Sequence, residues 1–168
     1  MTVAYIALGS NLQNPIKQVT QAFEAIAKLA DTQLLVESSL YKTAPVGYDN
    51  QPDFINAVAK VDTSLEPIVL LHKLLAVEAT FGRERPFPNA PRILDLDLLL
   101  YGDVRMQTQE LTLPHPRMHE RGFVLLPLAE IAPDLVLSDG QSVVELAKNI
   151  QQEDIQILSG NTVKHDHI

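Results

Sequence analysis

An α+β fold built on an antiparallel sheet is predicted by three features of this 168-residue chain. Four segments, at 3–8, 33–42, 54–62 and 92–101, carry the apolar runs or the two-residue alternation of strands. Two stretches of helical periodicity, from 15 to 30 and from 67 to Gly82, are set between them. The resulting order, strand–helix–strand–strand–helix–strand, is the ferredoxin-like or split βαβ pattern. One domain over residues 1–160 is expected, with C-terminal additions after the βαββαβ core and a frayed tail at 161–168.

Each element has a local reason. "VAYIAL", residues 3–8, is apolar on both faces and reads as a central strand. Asn14 is placed to cap a helix that starts at Pro15, since proline suits a first helical turn. Ile16, Val19, Phe23, Ile26 and Ala30 then recur on one helical face. A second strand is expected over 33–42, and the loop "TAPVGYDNQPD" follows at 43–53. In 54–62 the alternation sends Phe54, Asn56 and Val58 to one side and Ile55, Ala57 and Ala59 to the other. Thr63 and Glu66 have capping-box spacing before Pro67, and Gly82 suits the residue after a helix. "RERPFPNAPR" has three prolines in six residues, at 86, 88 and 91, so it is irregular. After Gly102, "VRM" suits a hairpin return, His115-Pro116 the start of a short helix and Pro127 the start of another. "LVLSDGQS" reads as a strand and turn, 142–150 as a helix and "IQIL" as a last strand.

Composition narrows the function. Hydrophobic residues make up 46% and charged residues 20%, the usual balance of a soluble globular protein. The chain has no cysteine, which excludes a thiolate nucleophile and cysteine-based metal sites and fits a cytoplasmic setting. Its N-terminal segment has neither the basic start of a signal peptide nor the length of a membrane span. A net charge of −8 argues against a nucleic-acid surface. No patch marks a dimer interface, so a monomer is expected. All six arginines, at 83, 85, 92, 105, 117 and 121, lie in one window that holds none of the seven lysines. Arginine offers a planar fork of donors suited to phosphate or carboxylate.

In "RILDLDLLLY", Asp95 and Asp97 share one face of a strand, while Leu94, Leu96, Leu98 and Leu100 share the other. Two ionised carboxylates about 4 Å apart repel by roughly 4 kcal/mol at an effective dielectric near 20. A shared proton or a divalent cation relieves this, and magnesium typically takes one or two carboxylates plus substrate phosphates. A sheet edge guarded by inward charges is the bland alternative. The nearby arginines favour phosphoryl transfer, in which metal and guanidinium groups offset developing charge. No P-loop, dinucleotide fingerprint or nucleophile elbow is present. His115 and His119 have the spacing of a zinc pair, yet Pro116 separates them from a common helical face, so solvent or phosphate contact is expected instead. His72 reads as a helix-surface residue. Two other readings of the Asp-x-Asp strand remain at this point. One is a nucleotidyl- or glycosyltransferase, the other a regulatory module that binds a ligand without chemistry.

"AYIALGSNL", "TAPVGYDNQPDFINAV", "APRILDLDLLLYG" and "LTLPHPRMHERGFVLLPLAEIAPDL" occur in that order. Together they resemble the hydroxymethyl-dihydropterin pyrophosphokinase family of folate biosynthesis. The resemblance implies transfer of pyrophosphate from ATP to the hydroxymethyl group of a reduced pterin, leaving AMP, with two Mg2+ ions. It implies that Asp95 and Asp97 hold both ions and that Arg83 and Arg92 contact the phosphates during transfer. Arg121 and His115 would support ATP, with Leu98, Leu111 and Thr112 lining the adenine pocket. Asn56 would hydrogen-bond the pterin, and Phe54 and Phe123 would sandwich its ring. Backbone groups of Thr43, Ala44 and Val46 would help, and Glu78 is implied as an acidic contact. The chain departs from the family pattern at Asn89 and Ala90, in a proline-rich loop one residue shorter, and at Pro116.

Overall fold

The computed structural model describes residues 1–12, 14–43, 53–82, 93–150, 155–158 and 163–164. Strand β1 (Thr2–Ser10) leads into helix α1 (Pro15–Ala27), then β2 (Thr32–Glu37), β3 (Tyr41–Thr43), β4 (Phe54–Thr63) and helix α2 (Pro67–Phe81). Next come β5 (Asp95–Tyr101), β6 (Met106–Gln107), β7 (Thr112–Leu113), a 3-10 turn at Met118–Glu120 and helix α3 (Gly122–Ile131). Helix α4 (Val143–Asn149), β8 (Ile155–Ile157) and β9 (Val163–Lys164) complete the order. The main sheet is antiparallel and runs β5-β1-β4-β2-β9, with β3 added to β4 and β8 to β3. This is the predicted α+β arrangement, with its helices against the sheet.

Both faces of the sheet are covered. Ala4, Ile6 and Leu8 of β1 pack with Val19, Phe23 and Ile26 of α1 and Leu70 and Leu74 of α2. Tyr5 and Ala7, one residue out of phase, pack with Val124, Leu125 and Leu128 of α3 and Val143 of α4. That double burial is why β1 is apolar throughout rather than alternating. Among the described residues, no helix is long and apolar enough to cross a membrane.

Several local expectations fail for identifiable reasons. Asn14 sits in the left-handed region at φ 66° and makes no side-chain cap; asparagine tolerates that backbone. Thr63 is the last residue of β4, and its hydroxyl pairs with Thr32 at 2.8 Å and accepts from the Leu65 N–H at 3.1 Å, so it does not cap α2. The strand expected over 33–42 breaks into β2 and β3. Ser38 still exchanges bonds with Val58, by its N–H to the carbonyl at 3.0 Å and by its hydroxyl oxygen from the Val58 N–H at 2.8 Å. The ladder then resumes with Tyr41 opposite Asn56. Pro127 lies inside α3 rather than at its start. The hairpin after Gly102 joins β6 to β7 and is separate from β5. "LVLSDGQS" gives only an isolated bridge, Val136 to Ser142. In the tail, expected to fray, β9 pairs with β2.

Leu100 does not share a face with Leu94, Leu96 and Leu98. A register shift between Tyr5 and Ile6 leaves Leu99 as an extra residue in β5. One added residue inverts every later side chain. Leu94, Leu96 and Leu98 therefore join the core under α1 and α2, whereas Leu99 and Leu100 join the core under α3.

Candidate active site

Strand register assembles the site. Asp95 lies opposite Gly9, which lies opposite Asn56, which lies opposite Tyr41. Directly paired residues project to the same face, so these four positions form a row across β5, β1, β4 and β3. The next row holds Asp97, Ala7 and Val58. Ala7 and Val58 belong to the core under α3, so both aspartates project on the α3 side of the sheet. Asp95 is exposed and Asp97 half-buried. The sharing of a face by the two carboxylates, read from strand alternation, is what the register gives.

Gly9 makes close approach possible. A Cβ on Gly9 would stand 3.0 Å from Asn56 Oδ1, so the Asn56 amide lies over the bare backbone of β1. Asn56 is buried, and its Nδ2 donates to Thr43 Oγ1 at 2.9 Å. Phe54 shares the Asn56 face of β4 and is half-buried. Phe123, in the first turn of α3, reaches the core on that side. The Arg121 guanidinium stands 5.7 Å from the centroid of the Phe123 ring, a cation–π contact on that ring.

Beside the aspartates, a cleft of about 230 Å³ follows the outer edge of β5. Its lining includes Asp97, Leu98, Leu111, Thr112 and His115. The strip over the cleft is a clasped turn: Thr108 Oγ1 donates to the Leu111 carbonyl and accepts from the Leu111 N–H, both at 3.0 Å. Glu110, another lining residue, is held by a 2.6 Å contact of its Oε2 with Nε2 of exposed His72. The residues expected to line an adenine pocket thus meet one of the expected metal ligands.

His115 is tied down twice. Its backbone N–H donates to the Leu99 carbonyl at 2.9 Å, and its Nδ1 accepts from the Arg117 N–H at 3.2 Å. A neutral ring that accepts at Nδ1 carries its proton on Nε2, where it can donate to a phosphate oxygen. Burial pushes the His115 pKa below the usual imidazole range; the charge of Asp97 opposes this, and Arg121 and Arg117 add to it. A group with a depressed folded pKa contributes its stability above the unfolded value and loses it as pH falls. Protein free of metal and nucleotide is therefore expected to lose stability as pH drops below about 6.5. His115→Gln should lessen that loss, as read from urea midpoints near neutrality and near pH 5.

Other expected residues fall elsewhere. Glu78 is on α2, against the sheet face opposite the Asn56 row, and its Oε2 accepts from the Leu96 N–H at 2.6 Å. It secures the outer edge of β5 between the two aspartates and is not brought to Phe54, Asn56 or Phe123. His119 Nε2 is 3.4 Å from Asp139 Oδ2, within ion-pair reach but without hydrogen-bond alignment, rather than facing solvent or phosphate. Arg83, Arg92, Ala44 and Val46 lie outside the described residues.

Glu130 was not foreseen. On the last turn of α3, it accepts from the Ser39 N–H at 3.1 and 3.0 Å, the Ser39 hydroxyl at 3.0 Å and the Tyr41 hydroxyl at 2.8 Å. Burial first, then the bond to and charge of Glu130, hold the Tyr41 proton on far above the usual phenol range. These partners are about ninety residues from Glu130 in sequence, and no local pattern announces them.

Among the described residues, no group of three or more acidic or histidine side chains could hold a metal ion. Two carboxylates on one face suit a hard cation whose remaining ligands come from phosphate and water. The donor set therefore fits magnesium bound together with a nucleotide rather than a protein-only cage.

Residues 5–133 match the model of the family described as 7,8-dihydro-6-hydroxymethylpterin-pyrophosphokinase. The chain is 50% identical over 148 residues to a Haemophilus influenzae protein named 2-amino-4-hydroxy-6-hydroxymethyldihydropteridine pyrophosphokinase, covering 88% of this chain and 92% of that one. A Pseudomonas aeruginosa protein of the same name is 45% identical over 156 residues, covering 93% and 96%. The fold is similar to wild-type Plasmodium falciparum HPPK-DHPS crystallised with pterin and p-hydroxybenzoate, with a TM-score of 0.73 and 14% identity. That match covers 93% of this chain and 46% of the longer one.

Proposed function

The chain belongs to the 7,8-dihydro-6-hydroxymethylpterin-pyrophosphokinase family, and from that premise we propose how its residues divide the work. The reaction transfers the pyrophosphoryl group of ATP to hydroxymethyldihydropterin, a step of folate biosynthesis. The hydroxymethyl oxygen bonds to the β-phosphorus and gives up its proton to solvent, the bond from that phosphorus to the oxygen bridging the α-phosphate breaks, and AMP leaves.

In our reading Asp95 and Asp97 hold two Mg2+ ions. When bound, these supply Lewis-acid neutralisation of phosphate charge. The cleft lined by Leu98, Leu111, Thr112 and His115 takes the adenine end of ATP, and the His115 Nε2–H donates to a phosphate oxygen. Arg83, Arg92 and Arg121 are assigned to the phosphates by the family resemblance. Asn56 meets the polar edge of the pterin while Phe54 and Phe123 cover its faces, an arrangement that suits a flat heterocycle. Backbone groups of Thr43, Ala44 and Val46 are assigned to the pterin by the same resemblance. One observation carries the reading: Asp97 lines the nucleotide cleft, while Asp95, two residues away on the same strand face, begins the row that ends at Asn56 and Tyr41. The carboxylates thus stand between the two substrate subsites. We take a cytoplasmic monomer to be the working unit.

Incubation with ATP, magnesium and hydroxymethyldihydropterin should release AMP only when pterin and metal are both present. AMP release without pterin, or ADP as the product, would overturn the assignment. Gly9→Ala tests the pterin side. The new methyl group must displace the Asn56 amide, an overpacking that costs about 1–3 kcal/mol. The shifted amide then meets the pterin edge less well, so the pterin KM should rise while the KM for ATP stays unchanged.

A further inference from the structure

We propose that Glu130 is a positioning residue for the pterin substrate, because it pins the β-bulge that sets the register of β3. The proposal rests on the pterin reading of Asn56 and its neighbours. Ser38 is held opposite Val58, and the next ladder pair is Tyr41 with Asn56. Two residues, Ser39 and Leu40, therefore oppose the single residue Ala57. Without that extra residue Leu40 would fall opposite Asn56, and Tyr41 and Thr43 would turn to the other face. Thr43 could not then accept from Asn56 Nδ2.

A bulge leaves its extra residue out of the ladder, and a buried N–H without a partner costs about 1–3 kcal/mol. Ser39 is 3% exposed, so water does not serve it. The Glu130 carboxylate takes the Ser39 N–H on both oxygens, and it also takes the hydroxyls of Ser39 and Tyr41. Charge-assisted bonds of this kind are about twice as strong as neutral ones. The same anion thus satisfies the bulge and fixes the first residue of β3. Glu130 is also seven residues beyond Phe123 on α3, two helical turns along nearly the same face. It ties the helix bearing one aromatic face of the proposed pterin slot to the strand bearing Thr43.

The test is steady-state kinetics of Glu130→Ala, Glu130→Gln, Tyr41→Phe and Asn56→Ala, with thermal melts of each. Glu130→Ala is expected to raise the pterin KM about tenfold or more, with kcat at saturating pterin and the KM for ATP within about twofold of wild type. Glu130→Gln keeps an acceptor oxygen for Ser39 and should recover part of the loss. Tyr41→Phe, which removes one donor and nothing else, should move the pterin KM in the same direction by a few-fold, and it decides the matter if Glu130→Ala does not fold. A drop in melting temperature or kcat with no change in pterin KM would reduce Glu130 to a fold-stabilising residue and overturn the proposal. Asn56→Ala separates the two failures. If it raises the pterin KM and the Glu130 and Tyr41 variants do not, the bulge inference alone is wrong; if it leaves the pterin KM unmoved, the pterin reading falls and takes this proposal with it.

Discussion

Asp95→Ala and Asp97→Ala, made singly, are each expected to cut turnover by roughly a thousandfold or more. Metal-assisted stabilisation of a phosphoryl transition state supplies several kcal/mol, and each factor of ten in rate corresponds to about 1.4 kcal/mol. Asp95 is exposed and Asp97 half-buried, and the core under β5 is made by leucines on both faces of the strand. With the leucine core intact, the metal-free variants should keep a cooperative melting transition. Added magnesium and a non-hydrolysable ATP analogue should raise the wild-type melting temperature and leave the variants unmoved. Near-wild-type turnover, or unfolding of both variants, would refute the assignment of these residues as metal ligands.

How much of this was legible in the sequence depends on which residues carry a period. β1 is readable because burial on both faces makes "VAYIAL" apolar throughout, and β4 because its residues alternate between two faces from Phe54 onward. Asp95 and Asp97 were readable for the same reason: two charges at spacing two within an apolar strand must share a face. A bulge leaves no such trace, since the extra residue at Leu99 or at Ser39–Leu40 is visible only against its partner strand. Strand alternation alone therefore sends Leu100 to the wrong face and joins 33–42 into one strand. Glu130 reads locally as a polar residue near a helix end, and its meaning lies with partners in a distant segment. The cleft wall at 108–112 is a clasped turn, which has no hydrophobic period. Leu111 and Thr112 followed from family resemblance alone. Glu78, assigned to substrate by resemblance, also accepts from the Leu96 N–H, a bond that only the packing of α2 reveals.

Arg92→Ala is expected to lower kcat by about a thousandfold, the scale at which an arginine stabilises charge in phosphoryl transfer, with the KM values for ATP and pterin changed far less. Arg92 itself is outside the described residues, but the chain immediately after it is firmly held. Ile93 and Leu94 are buried, and the Ile93 carbonyl accepts from the Ser10 hydroxyl at 2.5 Å. That bond ties the residue following Arg92 to the end of β1, next to Gly9 and the Asp95 row. In our reading Arg92, three residues before Asp95 in the sequence, acts on the phosphates that the aspartates would hold. Lysine should not substitute well: Arg92→Lys keeps the charge but loses the planar fork that contacts two phosphate oxygens at once. Recovery of less than about a tenth of wild-type kcat in the lysine variant would identify the fork, rather than net charge, as the contribution. Full recovery would reduce Arg92 to an electrostatic neighbour of the site, and a matching rise in the KM for ATP would make it a ground-state binding residue instead.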